Sequence, residues 1–277
     1  MMRFAMTLAA VLLLSMPAHA QRAPAWDFCD SKERGSPDLR ILNCSLLIES
    51  REQAAVNRGT AYANRGLAWS RKGDLDRAIA DYDQAINLYP NNVPVYNNRA
   101  IAWEAKGDLD RAIADYDRTI ALDPANARAY FNRGRAYLST GALPKALADL
   151  TRVGELRPQD PFAALWLDIV VRRSHLPSRL AAATQHIDMT GWPAPVIRLY
   201  LGQSTPAAVL AAADDPDAET RTVQVCQANF YVGELALWQG QRDEAKRLFG
   251  RAAADCPIFL DGYAGAVAEL KALAAKR

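Results

Sequence analysis

The sequence predicts an all-α fold: a superhelical solenoid of antiparallel helix hairpins with a degenerate middle and a capping C-terminal helix. Three observations lead there. The segment Tyr62-Ala-Asn-Arg-Gly-Leu-Ala-Trp69 returns as Tyr96-Asn-Asn-Arg-Ala-Ile-Ala-Trp103 and as Tyr130-Phe-Asn-Arg-Gly-Arg-Ala-Tyr137. Gly73-Asp-Leu-Asp-Arg-Ala-Ile-Ala-Asp-Tyr82 returns unchanged at Gly107–Tyr116 and more loosely at Gly141–Leu150. Pro90, Pro124 and Pro158 close the three copies, and every column steps by 34 residues. A fixed period of this length is the mark of a stacked-repeat architecture.

The chemistry of one copy accounts for its two helices. Tyr62, Arg65, Gly66 and Trp69 fall three and four residues apart, on one face of a helix. Gly73 ends that helix, because a residue without Cβ takes the left-handed conformation a helix terminus favours. Asp74 caps the second helix and Asp76 sits near its positive end. Ala78, Tyr82, Ala85 and Ile86 make the buried stripe, and Pro90 blocks further winding. Small residues at Gly66 and Ala78 let the two helices approach closely. Each hairpin leaves an apolar flank that only the next hairpin covers, so the copies must stack.

Around this core the chain divides as follows. Residues 1–20 carry Arg3, an apolar run from Phe4 to Met16 too short to span a bilayer, and Pro17-Ala18-His19-Ala20. That pattern reads as a cleaved secretory signal with Gln21 first in the mature chain, a short anchor helix being the alternative. Residues 21–58 form a capping hairpin broken at Ser36-Pro-Asp38. Three regular units occupy 59–92, 93–126 and 127–160. In the degenerate segment 161–225, Phe162–Arg173 and Leu180–Ile187 are expected to pair as a hairpin that has lost its glycine. Gly191-Trp-Pro-Ala-Pro195 and Asp214-Asp-Pro-Asp217 are breaks, with a short helix from Thr205 or Pro206 to Ala213 between them. A fourth unit, 226–259, keeps Gly233, Gly240, Ala245, Phe249, Ala252 and Pro257 at the repeat's internal offsets, with Cys226 opening its first helix. Phe259 to Ala275 reads as the closing helix of a final segment, 260–277.

Composition narrows the chemistry. The 277 residues are 50% hydrophobic, with 33 Lys+Arg against 31 Asp+Glu and a formal net charge of +2. Near-neutrality removes the electrostatic case for a nucleic-acid partner. Three His, one of them within the signal, argue against a multi-His metal site. There is no GxSxG, HExxH or phosphate-cradling glycine loop, so the expectation is a non-enzyme with no cofactor and no metal. The competing reading is a hydrolase in the irregular 161–225 region around His175 and His186, with Asp188 or Asp168 completing a cleft. No further apolar run is long enough to span a membrane.

Cys29, Cys44, Cys226 and Cys256 show no CxxC spacing. In an oxidising compartment an even count favours disulfides, with four buried free thiols as the alternative. The hairpin register sets Cys226 beside Cys256 and places Cys29 and Cys44 on successive helices, which favours those local pairings over the other two connectivities.

These residues resemble the tetratricopeptide repeat family: aromatic–x6–aromatic, Gly, Ala, aromatic and Pro at a period of 34. The resemblance implies that first helices line a concave, client-binding face. Asn64, Asn98 and Asn132 recur there, with Leu67, Ile101, Arg135, Ser70 and Glu104 as neighbours. Some family members use such an asparagine column on a client's backbone, since an amide both donates and accepts. The alternative is hydrogen bonding within the stack. Arg65, Arg99 and Arg133 face Asp81, Asp115 and Asp149 across each hairpin and read as repeated structural ion pairs. Pro161-Phe-Ala-Ala-Leu-Trp-Leu167, Tyr200-Leu-Gly202 and Asn229-Phe-Tyr-Val-Gly233 resemble the NlpI-type bacterial envelope proteins. That resemblance implies an adaptor that binds protein or peptide clients, is linked to peptidoglycan enzymes and forms a homodimer. This chain lacks their lipid-accepting Cys, so a periplasmic or secreted protein is expected.

Overall fold

In the computed structural model, residues 23–30, 36–50, 53–257 and 260–275 are described. The expected signal, Gln21 and Phe259 lie outside them. Among the described residues the regular structure is helical throughout, and it falls into two compact units that divide after Leu122.

The first unit holds α1 (Ala23–Asp30), α2 (Pro37–Glu49), α3 (Ala55–Arg71), α4 (Leu75–Leu88), α5 (Val93–Ala105) and α6 (Leu109–Leu122). Helices α3 and α4 pair as one hairpin, α5 and α6 as the next, and α4 packs on α5. The hairpins turn where the sequence says they should. Gly73 and Gly107 take φ of 80° and 82°, and the Asp74 and Asp108 carboxylates accept from the backbone N–H groups of Arg77 and Arg111. Tyr82 and Tyr116 are buried between their helices, packed among Ala78, Ala85 and Val95 or Ala100 and Ala112. Bringing a tyrosine ring and several alanines out of water in each of these two hairpins supplies apolar burial that holds them together.

The second unit opens with the third regular hairpin, α7 (Ala127–Ser139) and α8 (Leu143–Leu156), followed by α9 (Pro161–Arg173). It continues through α10 (Leu180–Ala183) with a 3-10 turn at Thr184–His186, α11 (Ala194–Tyr200) and α12 (Pro206–Ala212). Helices α13 (Ala218–Trp238), α14 (Arg242–Asp255) and α15 (Asp261–Ala275) complete it. Its core gathers Leu165, Trp166, Ile197, Phe230, Tyr231, Leu248 and Phe249. Trp166 stacks on Phe230 at 5.0 Å between centroids, an arrangement that adds to simple area burial.

The degenerate middle starts with the expected helix, at Pro161–Arg173, and is less regular than expected at its end. Helix α9 is a full first helix in register, and His175 stands 34 residues after Gly141. His175 adopts φ 57°, taking the left-handed position that Gly141 fills at φ 78°. The expected second helix, Leu180–Ile187, winds only as far as Ala183 and ends in the 3-10 turn. Ser178 explains part of this: its hydroxyl donates to Asp168 and accepts from Leu180 N–H, tying the segment back to α9. The short helix is confirmed at Pro206–Ala212, capped by Thr205. In the last hairpin, α13 starts at Ala218 under an Asp217 cap, so Cys226 lies well inside the helix and does not open it.

Candidate functional site

The repeated polar columns sort into a structural set and an accessible set. Arg65 donates from Nε and Nη2 to both carboxylate oxygens of Asp81, each at 2.8 Å. Arg99 grips Asp115 at 2.8 and 2.7 Å, and Arg133 grips Asp149 at the same two distances. The three aspartates are buried. These two-pronged pairs cross each hairpin, as the spacing predicts. The remaining nitrogen links hairpin to predecessor in the first unit: Arg65 Nη1 donates to Ser45 of α2 at 2.9 Å, and Arg99 Nη1 to Asp83 of α4 at 2.6 Å. Burial opposes the charge on Arg99, but the hydrogen bonds and attraction of Asp115 and Asp83 outweigh it and raise its pKa. These arginines hold the stack and have little capacity left for a ligand.

The first-helix asparagines sit in unequal surroundings. In the first unit Asn64 and Asn98 are half-buried, with Leu67 and Ile101 half-buried one turn on. Asn64 Nδ2 donates to Asp30 of α1 at 3.3 Å. Asn98 makes no side-chain hydrogen bond among the described residues. In the second unit Asn132 and Arg135 are 6% and 7% exposed. The Arg135 guanidinium lies over the rings of Phe131 and Trp166 at 5.8 and 5.4 Å, and α7 also packs against α15. Ser70 and Glu104 are half-buried, and Glu104 accepts from the Tyr116 hydroxyl at 3.0 Å.

Of the residues of the competing hydrolytic reading, the two aspartates are engaged elsewhere and the two histidines are exposed. His175 is an exposed helix terminator and His186 is exposed at the end of the 3-10 turn. The Asp168 carboxylate is taken by Arg172 at 2.5 Å and by Ser178, and Asp188 accepts from Thr190. Cys29 is bonded to Cys44 and Cys226 to Cys256. No group of three or more His, Cys, Asp or Glu able to hold a metal occurs among the described residues.

One cluster has no motif in the sequence: Arg173, Glu234 and Glu269, joined across α9, α13 and α15. Its signal was Glu234, a lone carboxylate inside the apolar run Phe230–Trp238.

Profiles of the tetratricopeptide repeat match residues 59–92, 81–114 and 127–160, and a further TPR repeat profile matches 104–141. Among solved structures, MamA from Desulfovibrio magneticus RS-1 is 21% identical at a TM-score of 0.51, covering 62% of this chain and 93% of that one. YrrB, described as a TPR protein with an unusual peptide-binding site, is 18% identical at a TM-score of 0.44 over 82% of this chain and 97% of its own. The first TPR of Spaghetti (RPAP3), solved with the HSP90 peptide SRMEEVD, is 26% identical at a TM-score of 0.42 over 43% of this chain and 95% of its own. The 34-residue period, the glycine-turned hairpins and the profile matches together show that residues 59–160 are built of tetratricopeptide repeats.

Proposed function

We propose that this chain is an exported, non-catalytic scaffold that binds extended segments of client proteins on its first-helix faces. The observation that carries the reading is Asn98. It offers an uncommitted amide on α5 beside the half-buried Ile101, with Asn64 and Leu67 one repeat earlier. An amide flanked by apolar surface suits a peptide backbone: it pairs with one N–H and one C=O whatever the client's side chains. The accessible face in the first unit is therefore the primary site. Asn132 and Arg135, being buried, contribute to holding α7 in place.

Export is supported by the N-terminal pattern and by two disulfides, which persist in oxidising compartments. No described helix is long and apolar enough to cross a membrane. A role among cell-envelope enzymes rests on the NlpI-type resemblance of the C-terminal half.

Selection of a displayed library of linear peptides on the full chain tests this. The expected result is recovery of peptides whose affinity drops about tenfold in Asn98→Ala, the loss of roughly one well-formed hydrogen-bonding group. The triple change Asn64→Ala, Asn98→Ala, Asn132→Ala should weaken capture further while helicity is retained. Peptide affinity that Asn98→Ala leaves unchanged moves binding off this face.

A further inference from the structure

The second unit holds a half-open cavity of about 570 Å³ between the C-terminal end of α7 and helices α9, α13 and α15. That volume lies in the range of small-ligand sites, ~300–1,000 Å³, and far exceeds a single trapped water. Leu138, Ile169, Leu235 and Leu273 give it apolar walls. Its two carboxylates share a single arginine. Arg173 donates from Nη2 to Glu234 at 2.6 Å and pairs through Nη1 with Glu269 at 2.8 Å, so one guanidinium answers two carboxylates. The side chains are 25%, 5% and 13% exposed, which leaves solvent little room to make up the difference.

The neighbouring Arg172 does not correct the imbalance. It is committed to Asp168 at 2.5 Å and to the Tyr200 carbonyl at 2.9 Å, with its guanidinium 4.6 Å over the Trp238 ring. Arg242 also lines the cavity but is exposed. Tyr200 lines it from α11 and is fully buried, which keeps its phenol protonated. The trio of Arg173, Glu234 and Glu269 thus carries a formal excess of one negative charge, with Arg242 at the exposed rim, and the walls suit a hydrocarbon chain.

We propose that this cavity is a binding site for an alkylammonium group, a primary amine on an apolar stem, whose cation sits against Glu234 and Glu269. Such a group supplies the missing positive charge, and its stem covers the leucine walls. Burying a charge without a partner is costly, and a cation entering here pairs with one that is already buried. The titration of Glu234 points the same way. Desolvation pushes its carboxyl up to about 7 and Glu269 pushes in the same direction, while Arg173 opposes both. A bound cation favours the ionised form, so binding releases a proton and strengthens as pH rises through neutrality. The charged groups acting on Glu234 are Arg173 of α9 and Glu269 of α15, and Tyr200 of α11 lies within the field of Glu234 and of the Arg172–Asp168 pair of α9.

The same chemistry is carried by a free diamine and by a lysine side chain of a partner. The test is calorimetric titration of the full chain with cadaverine, with a blocked lysine-containing tripeptide, and with butyrate as the anionic control. The expected result is saturable binding of at least one amine that strengthens several-fold between pH 6 and 8. Glu269→Gln and Glu234→Gln should each weaken it tenfold or more, with the helical circular dichroism spectrum retained. Binding of the diamine assigns the cavity to a small amine, and binding of the tripeptide alone assigns it to a partner's lysine. Neither amine binding a folded chain overturns the proposal, as does butyrate binding in their place. Amine affinity unchanged in Glu269→Gln overturns it equally, and that variant keeps the test open should Glu234→Gln fail to fold.

Discussion

The ion-pair column sets a quantitative expectation for stability. In the second repeat, Arg99 makes two charge-assisted hydrogen bonds to Asp115 and one to Asp83. The Asp115 side chain is 9% exposed, Asp83 48% and Arg99 20%. Asp115→Ala strips a half-shielded guanidinium of its main partner. Breaking a buried pair costs ~3–5 kcal/mol, and the exposure of Arg99 brings this to about 2–4 kcal/mol. Asp83→Ala removes a bond to a solvated carboxylate and should cost only ~0–1 kcal/mol. Replacing Arg99 and Asp115 together removes both charges, so the double variant should lose roughly 2 kcal/mol less than the summed single losses. Equilibrium urea unfolding followed by far-UV circular dichroism, run as a double-mutant cycle, measures this coupling. A coupling below about 0.5 kcal/mol, or an Asp83→Ala loss equal to that of Asp115→Ala, refutes the claim that these columns hold the hairpins together.

Three further outcomes follow. A Cβ on Gly265 would stand 2.5 Å from the buried ring of Phe230, so Gly265→Ala should destabilise by ~1–3 kcal/mol in thermal unfolding through overpacking of α15 on α13. Removing the Cys226–Cys256 bridge, which spans a separation of 30 residues, should cost about 3.5 kcal/mol in urea unfolding, and the shorter Cys29–Cys44 bridge about 3 kcal/mol. Glu234 has a folded pKa of about 7 against an ordinary 4.5, so the native state binds the extra proton between those values. Stability should therefore fall as pH rises from about 4.5 to 7, by on the order of 3 kcal/mol, and Glu234→Gln should flatten that slope.

Much of the fold could be read from local chemistry, because each repeat carries its own turn, cap and packing residues. Gly73, Asp74 and Tyr82 specify a hairpin without reference to anything distant, and the Arg65–Asp81 pair follows from the same register. Difficulty began where a position's chemistry changed while its geometry did not. His175 fills a left-handed site that glycine marks elsewhere, so the turn after α9 carries no glycine signal although its spacing of 34 from Gly141 is intact. The first turns of α13 carry exposed Ala218, Glu219 and Thr222, which give no amphipathic signal, and only the Asp217 cap announces the helix. The charged cavity was the least legible feature. Arg173, Glu234 and Glu269 belong to three helices, and nothing in a single helix indicates that their side chains converge. The asparagine column was visible as a period, but its burial at Asn132 and its half-exposure at Asn98 depend on tertiary packing.

The claim that the first-helix face is the client-binding surface is tested most directly by hydrogen–deuterium exchange on the full chain with a selected peptide bound. The account predicts added protection concentrated on α3 and α5, centred on Asn64 and Asn98, with α4 and α6 unchanged. Protection confined to α4 and α6, or none on α3 and α5 at saturating peptide, would contradict it.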